Sequence, residues 1–131
     1  MPKTILESPK LSKPSGIFSS GVKAPAGHLV FVSGQVARNA RGETVGKGDI
    51  KAQTRQVLQN IQAVLEAGGA TLDDVVKVTV FVTNLAEHLS QIHEVRAEYF
   101  KRAYPASTLV EVKALAHQDF LIEIEAIAAI P

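Results

Sequence analysis

Cysteine and tryptophan are absent from the 131-residue sequence, and aromatic residues make up only 5% of it. A chain without thiols forms no disulfide, offers no cysteine ligand to a metal and has no thiolate nucleophile. With so few aromatic rings, the core must be built from Val, Ile, Leu and Ala. The lack of cysteine is compatible with a reducing compartment, and we expect a cytoplasmic protein.

A strong excess of charge is also missing, since the formal net charge is +1. Such a balance is unlike that of most nucleic-acid-binding proteins. Four lysines lie near the N-terminus with only Phe18 beside them to stack on a base, and we interpret Lys3, Lys10, Lys13 and Lys23 as solvent-facing. No apolar run approaches the ~20 residues of a membrane helix. The N-terminal segment also lacks the apolar stretch of a secretory signal.

Apolar residues make up 46% of the chain, enough for one hydrophobic core, and we expect a single domain over residues 1–131. Alternation and periodicity predict an α+β fold with a mixed β-sheet and two helices. The predicted strands are 17–24, 28–34, 75–83, 107–113 and 120–130, with a further short strand at 3–6. The predicted helices run from Asp49 to Gly68 and over 85–102, and a turn is predicted at 25–27.

Helix boundaries carry recognisable signals. Asp49 is suited to cap the first helix, because its carboxylate can accept from free N–H groups of the first turn. Gly68-Gly69 is typical of a helix end, and Thr71–Asp74 has the form of a capping box. Pro105 ends the second helix. The apolar stripe of that helix is Leu85, Leu89, Ile92, Val95 or Arg96, Tyr99 and Phe100.

The predicted sheet is apolar on both faces. Along residues 75–83, one face carries Val76, Val78, Val80 and Val82. The opposite face collects Leu29, Phe31, Phe81, Leu121 and Ile127, together with Glu123 and Glu125. Two helices can cover only one face of a sheet, so a second copy of the chain is the simplest cover for the other. Carboxylates in such a covered space need partners, which makes Glu123 a functional candidate, whereas Glu125 is better interpreted as facing water.

Most catalytic constellations are missing. The histidines are His28, His88, His93 and His117, and the middle two lie about 140° apart around a helix, so they cannot share a metal. Residues 42–48 lack the Lys-Ser/Thr of a phosphate loop, and no G-x-S-x-G motif occurs. We therefore expect neither a metal nor a hydrolase serine. Ser33, Gly34 and Gln35 lie at a strand end, where they either contact a small molecule or simply terminate the strand.

At Val32-Ser33-Gly34-Gln35 the sequence resembles the RidA/YjgF family of enamine and imine deaminases, and the likeness continues over nearly the whole chain. The resemblance rests on FVSGQV, on the block QTRQVLQNIQAVLEAGGATLDDVVKVTVFVTNL, and on AEYF, YPASTLVEV and IEIEAIA, which extend it over roughly residues 16–130. It implies a chorismate-mutase-like α+β fold and a homotrimeric barrel with ligand clefts between subunits. Members with deaminase activity hydrolyse reactive enamines and imines to keto acids and ammonia without cofactor or metal.

The resemblance also implies site residues, some retained and some changed. The family's water-orienting glutamate corresponds to Glu123, and Ser33, Gly34 and Gln35 are retained. The arginine of the P-A-R-S segment is replaced, since Pro105-Ala106 is followed here by Ser107 and Thr108. Phe18 stands where a phenol is usual, and His93 where asparagine is common. A carboxylate substrate needs a cation, and Arg96 and Lys113 are the two candidates to replace the missing arginine.

Three functions remain open from the sequence. The first is a deaminase of the family type with an altered site, acting on 2-aminoacrylate-like or amino-dienoate intermediates. The second is a non-catalytic small-ligand-binding or regulatory trimer, in which Ser107 reflects lost chemistry. The third is the RNA-cleaving translation inhibitor described for some relatives, which the near-neutral charge disfavours.

Overall fold

The computed structural model describes residues 3–25 and 27–131; Ala26, in the middle of the predicted turn at 25–27, lies outside them. The elements in chain order are β1 (Thr4–Leu6), β2 (Gly21–Lys23), β3 (His28–Gln35), α1 (Ile50–Ala67), a 3₁₀ turn (Leu72–Asp74), β4 (Val75–Val82), α2 (Leu85–Tyr99), β5 (Ala106–Glu111) and β6 (Ile122–Ile130). Two helices combined with mixed strands confirm the predicted α+β class.

The strands form two sheets rather than the single one predicted. The larger sheet has the order β3-β6-β4-β5, in which β6 is antiparallel to both neighbours and β5 is parallel to β4. β1 and β2 pair only with each other as a separate ribbon. The strand predicted over 17–24 is therefore wrong in its first half, where Ser19 forms a lone parallel bridge to Ala106 and donates its N–H to the Pro105 carbonyl at 3.0 Å.

Helix α1 begins and ends as predicted. Asp49 accepts a hydrogen bond from the Ala52 N–H at 3.1 Å and so caps the first turn. At the other end, Gly69 has φ +78° and its N–H bonds to the Glu66 carbonyl, while the Ala70 N–H reaches the Leu65 carbonyl. This is a Schellman motif, in which glycine adopts the left-handed conformation without steric cost.

Helix α2 ends at Tyr99, three residues before the predicted end. Phe100 leaves the helix with φ −106° and ψ 110°, because an extended backbone turns its ring into the core, where it is buried. The predicted stripe is wrong at Leu89, which is exposed, while His88 is buried instead.

The core lies between the larger sheet and α1, with α2 packed against α1. A register shift between Val75 and Lys77 turns Val75 into the core and leaves Val76 half-buried, which corrects the predicted face at that point. Leu121 also packs against the core rather than on the far face, because it precedes β6 and its N–H donates to Gln53 Oε1.

The face of the larger sheet opposite the helices, which we call the open face, is strongly apolar. Phe31 is 68% exposed, Leu29 55% and Val110 38%, with Phe81 and Ile127 beside them partly exposed. No described element of the chain covers these side chains. The prediction of a sheet that is apolar on both sides is therefore confirmed, except at Leu121.

The N-terminal lysines do not all face solvent. Lys3 is half-buried and donates to the Val75 carbonyl at 2.6 Å, and this burial lowers the pKa of its ammonium group despite nearby Asp73 and Asp74. The interpretation of Lys3 as solvent-facing is wrong, because β1 holds it beside the start of β4. Lys10, Lys13 and Lys23 are exposed as expected. Of the helices in the described residues, none has the length and apolar character to cross a bilayer.

The cap of α1 yields a stability prediction. Replacing Asp49 by alanine removes the acceptor of the Ala52 N–H and should lower the free energy of unfolding by about 1 kcal/mol. Urea unfolding followed by circular dichroism measures the change. Glu66→Ala, at an exposed position of the same helix, should unfold with the wild-type midpoint. Equal stability of the Asp49→Ala variant and the wild type would contradict the capping role.

Candidate functional site

The first candidate cluster joins α2 to the start of β5. Arg96 on α2 is only 2% exposed, and its Nη2 donates to Ser107 Oγ at 3.0 Å and to the Ile17 carbonyl at 3.2 Å. Ser107 lies on the helix side of β5, as does Leu109, which packs against the core. The cation of Arg96 therefore reaches the position where the resemblance places an arginine.

Phe18 and His93 complete this cluster. A Cβ placed on Gly16 would lie 3.6 Å from the Phe18 ring and 3.8 Å from His93 Cε1, so the two rings flank the same glycine. His93 precedes Arg96 by three residues and shares its face of α2. Its Nδ1 is buried and has no hydrogen-bond partner among the described residues.

Burial and charge act on both basic groups. Burial lowers the pKa of His93, and the positive charge of Arg96 lowers it further, so the imidazole is neutral at pH 7. Burial lowers the pKa of Arg96 to about 10, and the guanidinium still keeps its proton at neutral pH. The cluster thus presents one permanent positive charge beside a neutral ring.

The second candidate cluster lies where β3 meets β6. The pairing is irregular between Val32 and Gln35, and the Glu123 side chain lies next to Gly34 at this bulge. A side chain on Gly34 would overlap Glu123 Oε2, so only glycine allows the carboxylate to lie against the β3 backbone. No described group donates a hydrogen bond to the Glu123 carboxylate, which leaves both oxygens available.

The remaining predicted site residues lie elsewhere. Ser33 is exposed at the edge of a small groove of about 230 Å³ on the open face. Gln35 is half-buried, and its Nε2 donates to the Ser33 carbonyl at 3.2 Å. Thr108 points to the open face and accepts from Lys77 Nζ at 2.7 Å. Lys113 is exposed beyond the end of β5, and it forms no ion pair among the described residues.

The two clusters do not meet within one chain. Glu123 pairs with Phe81 and faces the open side, whereas Ser107 is level with Val78 and faces the helices. With two strand spacings and three residues between them, the Cα positions of Ser107 and Glu123 are roughly 14 Å apart, on opposite faces. A ligand touching both Arg96 and Glu123 therefore needs the second cluster of another copy.

Sequence reasoning missed two features of the site. The Ile17 carbonyl, which anchors Arg96, carries no side-chain signal and is brought to α2 by the path of the N-terminal segment. Lys77 lies on the open face in the same groove as Glu125 and Ser33. A lysine within this valine-rich strand was a sequence signal that could have marked Lys77 as a candidate. Among the described residues, no three His, Asp or Glu side chains are grouped to hold a metal.

A stability measurement tests the surroundings of His93. Because the native pKa is depressed below 6.5, the unfolded chain binds a proton first as the pH falls. Native stability should therefore be full above pH 6.5, fall as the pH drops toward the native pKa, and then level off. His93→Gln should remove this part of the pH dependence, while His28→Gln, at an exposed position, should keep it. If the free energy of unfolding of both variants follows that of the wild type from pH 5 to 7.5, the depressed pKa of His93 is contradicted.

Comparisons with known proteins agree over almost the whole chain. Residues 9–130 match a family model described as Endoribonuclease L-PSP. A RutC family protein of Pyrococcus horikoshii is 45% identical over 126 residues, which are 96% of this chain and 97% of that protein. A protein of Dermatophagoides farinae named 2-iminobutanoate/2-iminopropanoate deaminase is 36% identical over 129 residues, covering 98% of each chain.

The structural comparison leads to the same group. A Rid family protein of unknown function from Yersinia pestis superposes with a TM-score of 0.91 at 38% identity, covering 99% of this chain and 100% of that one. The RidA protein of an Antarctic Psychrobacter superposes with a TM-score of 0.73 at 33% identity, over 97% of this chain and 99% of its own. Matches of this extent in sequence and fold show that the chain belongs to the RidA/YjgF family.

Proposed function

We propose that the protein is a hydrolytic deaminase of reactive 2-imino acids and their enamine tautomers, such as 2-aminoacrylate or amino-dienoates. Water adds to the imine carbon, the C–N bond breaks, and the products are the 2-keto acid and ammonia. The reaction needs no cofactor or metal, because the imine carbon is already electrophilic. In the cytoplasm, the proposed location, such an activity would limit damage by these intermediates.

The contact between Gly34 and Glu123 carries the proposal. The carboxylate is held against a β3 backbone that no other residue would permit, and its oxygens are free of described donors. A carboxylate placed in this way can orient the attacking water and accept its proton. The Ser33–Gln35 segment borders the same place and supplies backbone groups for a small ligand.

The deaminase name of the Dermatophagoides relative supports the reaction class. Ser107, in place of the family arginine, is the main departure, and it means that the substrate carboxylate must be bound by a different cation. The Phe18 ring supplies apolar surface without a hydroxyl group. Thr108 lies on the other face of β5, where its hydroxyl group accepts a hydrogen bond from Lys77.

We include a homotrimer in the proposal, with a chorismate-mutase-like barrel formed by the open faces of three single-domain subunits. The exposure of Leu29, Phe31 and Val110 supports it, because apolar surface of this kind is normally covered. The separation of the two clusters supports it as well. A cleft between copies would bring Glu123 of one copy toward Arg96 and Ser107 of another.

Turnover is tested with a coupled assay. A pyridoxal-phosphate dehydratase generates 2-aminoacrylate or 2-iminobutanoate, and the release of keto acid is followed with and without the protein. Wild-type protein should accelerate release, and Glu123→Gln should lower the rate by about 10²–10⁴-fold, as expected for loss of a general base. Gly34→Ala should lower it as well, because the new methyl group displaces the carboxylate. Glu125→Gln, two residues along the same face, is the matched control and should retain full activity.

Three results would contradict the proposal. Full activity of Glu123→Gln would remove Glu123 from the site. No acceleration by the wild type, combined with tight keto-acid binding, would instead identify a non-catalytic ligand-binding protein. Cleavage of RNA by the wild type, with retention on heparin at low salt, would favour the third function.

Self-association is tested separately by light scattering. The wild type should have three times the 14.0 kDa mass of the chain at micromolar concentration. Phe31→Glu places a charge on the open face and should shift the protein to smaller species, since a buried charge would lack a partner. Leu11→Glu, at another exposed apolar residue, is the control and should leave the mass unchanged. A monomeric wild type would overturn the assembly.

A further inference from the structure

Arg96 is a buried cation without a carboxylate partner. It is 2% exposed, and no aspartate or glutamate among residues 3–25 and 27–131 lies within ion-pair distance of it. Its two hydrogen bonds, to the Ile17 carbonyl and to Ser107 Oγ, both come from Nη2. A guanidinium carries five N–H donors, so Nε and Nη1 keep most of its capacity unused.

A cation in such a place is costly for the fold. Removing a charge from water costs several kcal/mol unless an opposite charge or a full set of hydrogen bonds compensates it. Neutral oxygen acceptors compensate the guanidinium of Arg96 only in part. An anionic ligand would complete the compensation, and a carboxylate matches the planar donor fork in two parallel hydrogen bonds.

Ser107 has a definite role beside this cation. Its hydroxyl oxygen accepts from Arg96 Nη2, so the hydroxyl proton remains free to be donated to a ligand. Because Arg96 Nη2 lies 3.0 Å from Ser107 Oγ, an arginine at position 107 would bring a second guanidinium next to the first. The two positions are thus alternative sources of one positive charge.

We infer that Arg96 is the group that binds the substrate carboxylate in this protein, and that Ser107 is a positioning residue that orients it. The inference rests on the proposed function for the identity of the substrate. The guanidinium is delivered from helix α2 instead of strand β5, and the serine, far from marking lost chemistry, belongs to the new arrangement. The rings of His93 and Phe18, next to Gly16, form the wall of the carboxylate site on that side.

The test measures recognition of charge, independently of turnover. Binding of 2-oxobutanoate and of the neutral 2-oxobutanamide is measured by calorimetry on the assembled protein. The wild type should prefer the carboxylate over the amide by roughly tenfold to hundredfold, the value of hydrogen bonds to a charged group. Arg96→Met should abolish this preference, and Arg102→Met, at an exposed arginine, should keep it. Retained preference in Arg96→Met would overturn the inference.

Position 107 supplies a second criterion. Ser107→Thr keeps the hydroxyl group and should keep the carboxylate preference, while Ser107→Ala should weaken it severalfold. Ser107→Arg alone should bind no better than the wild type, because it places two like charges together. The double variant Arg96→Met with Ser107→Arg should regain much of the preference. Tighter carboxylate binding by Ser107→Arg alone would overturn the inference, as would a double variant no better than Arg96→Met.

Failure of the proposed function looks different. If the wild type binds 2-oxobutanoate through Arg96 but does not accelerate keto-acid release, the deaminase proposal fails and the carboxylate site stands. If release is fast and Arg96→Met leaves KM for 2-iminobutanoate unchanged, the deaminase proposal stands and Arg96 is excluded as the carboxylate-binding group. Should Arg96→Met not fold, the preference for the carboxylate over the amide is measured instead on Arg96→Lys and on the double variant. Lysine keeps the positive charge but loses the planar donor fork of arginine.

Discussion

The structure depends on a four-stranded sheet that is apolar on both faces. One face packs against α1, and the open face keeps Leu29 and Phe31 exposed. This arrangement places the Glu123 carboxylate and the Ser107 hydroxyl on opposite sides of the sheet. A site that uses both groups therefore has to be built between copies. The two apolar faces of the sheet thus determine both how the core packs and where the proposed chemistry can take place.

Two close approaches give the site its character. Gly34 lets the Glu123 carboxylate lie on the β3 backbone, and the N-terminal segment lets the Ile17 carbonyl reach Arg96. Both depend on backbone atoms, which tolerate little change in position. Serine at position 107, where the resemblance places an arginine, is compatible with the proposed reaction, because the guanidinium of Arg96 reaches its hydroxyl group from α2.

Much of the fold was predictable from local patterns. The cap at Asp49, the glycine end of α1 and the alternation of β4 from Val78 to Val82 each depend on residues close in sequence, and the structure confirms them. The errors arose where distant parts compete. Val75 replaces Val76 in the core because the pairing of β4 with β6 has a register shift there. Helix α2 ends three residues early because the Phe100 ring is buried in the core. The pattern of short strands likewise did not predict that β1 and β2 would pair only with each other.

The sequence by itself determined the family, the elements and the apolar character of both sheet faces, since these follow from residue order and side-chain alternation. It also pointed to Arg96 and Glu123 as candidate site residues. Only the tertiary structure decided between Arg96 and Lys113 as the cation beside Ser107, and separated that cluster from Glu123. The reason is physical: the direction of a long side chain and the proximity of two strand ends are set by packing between segments far apart in the chain.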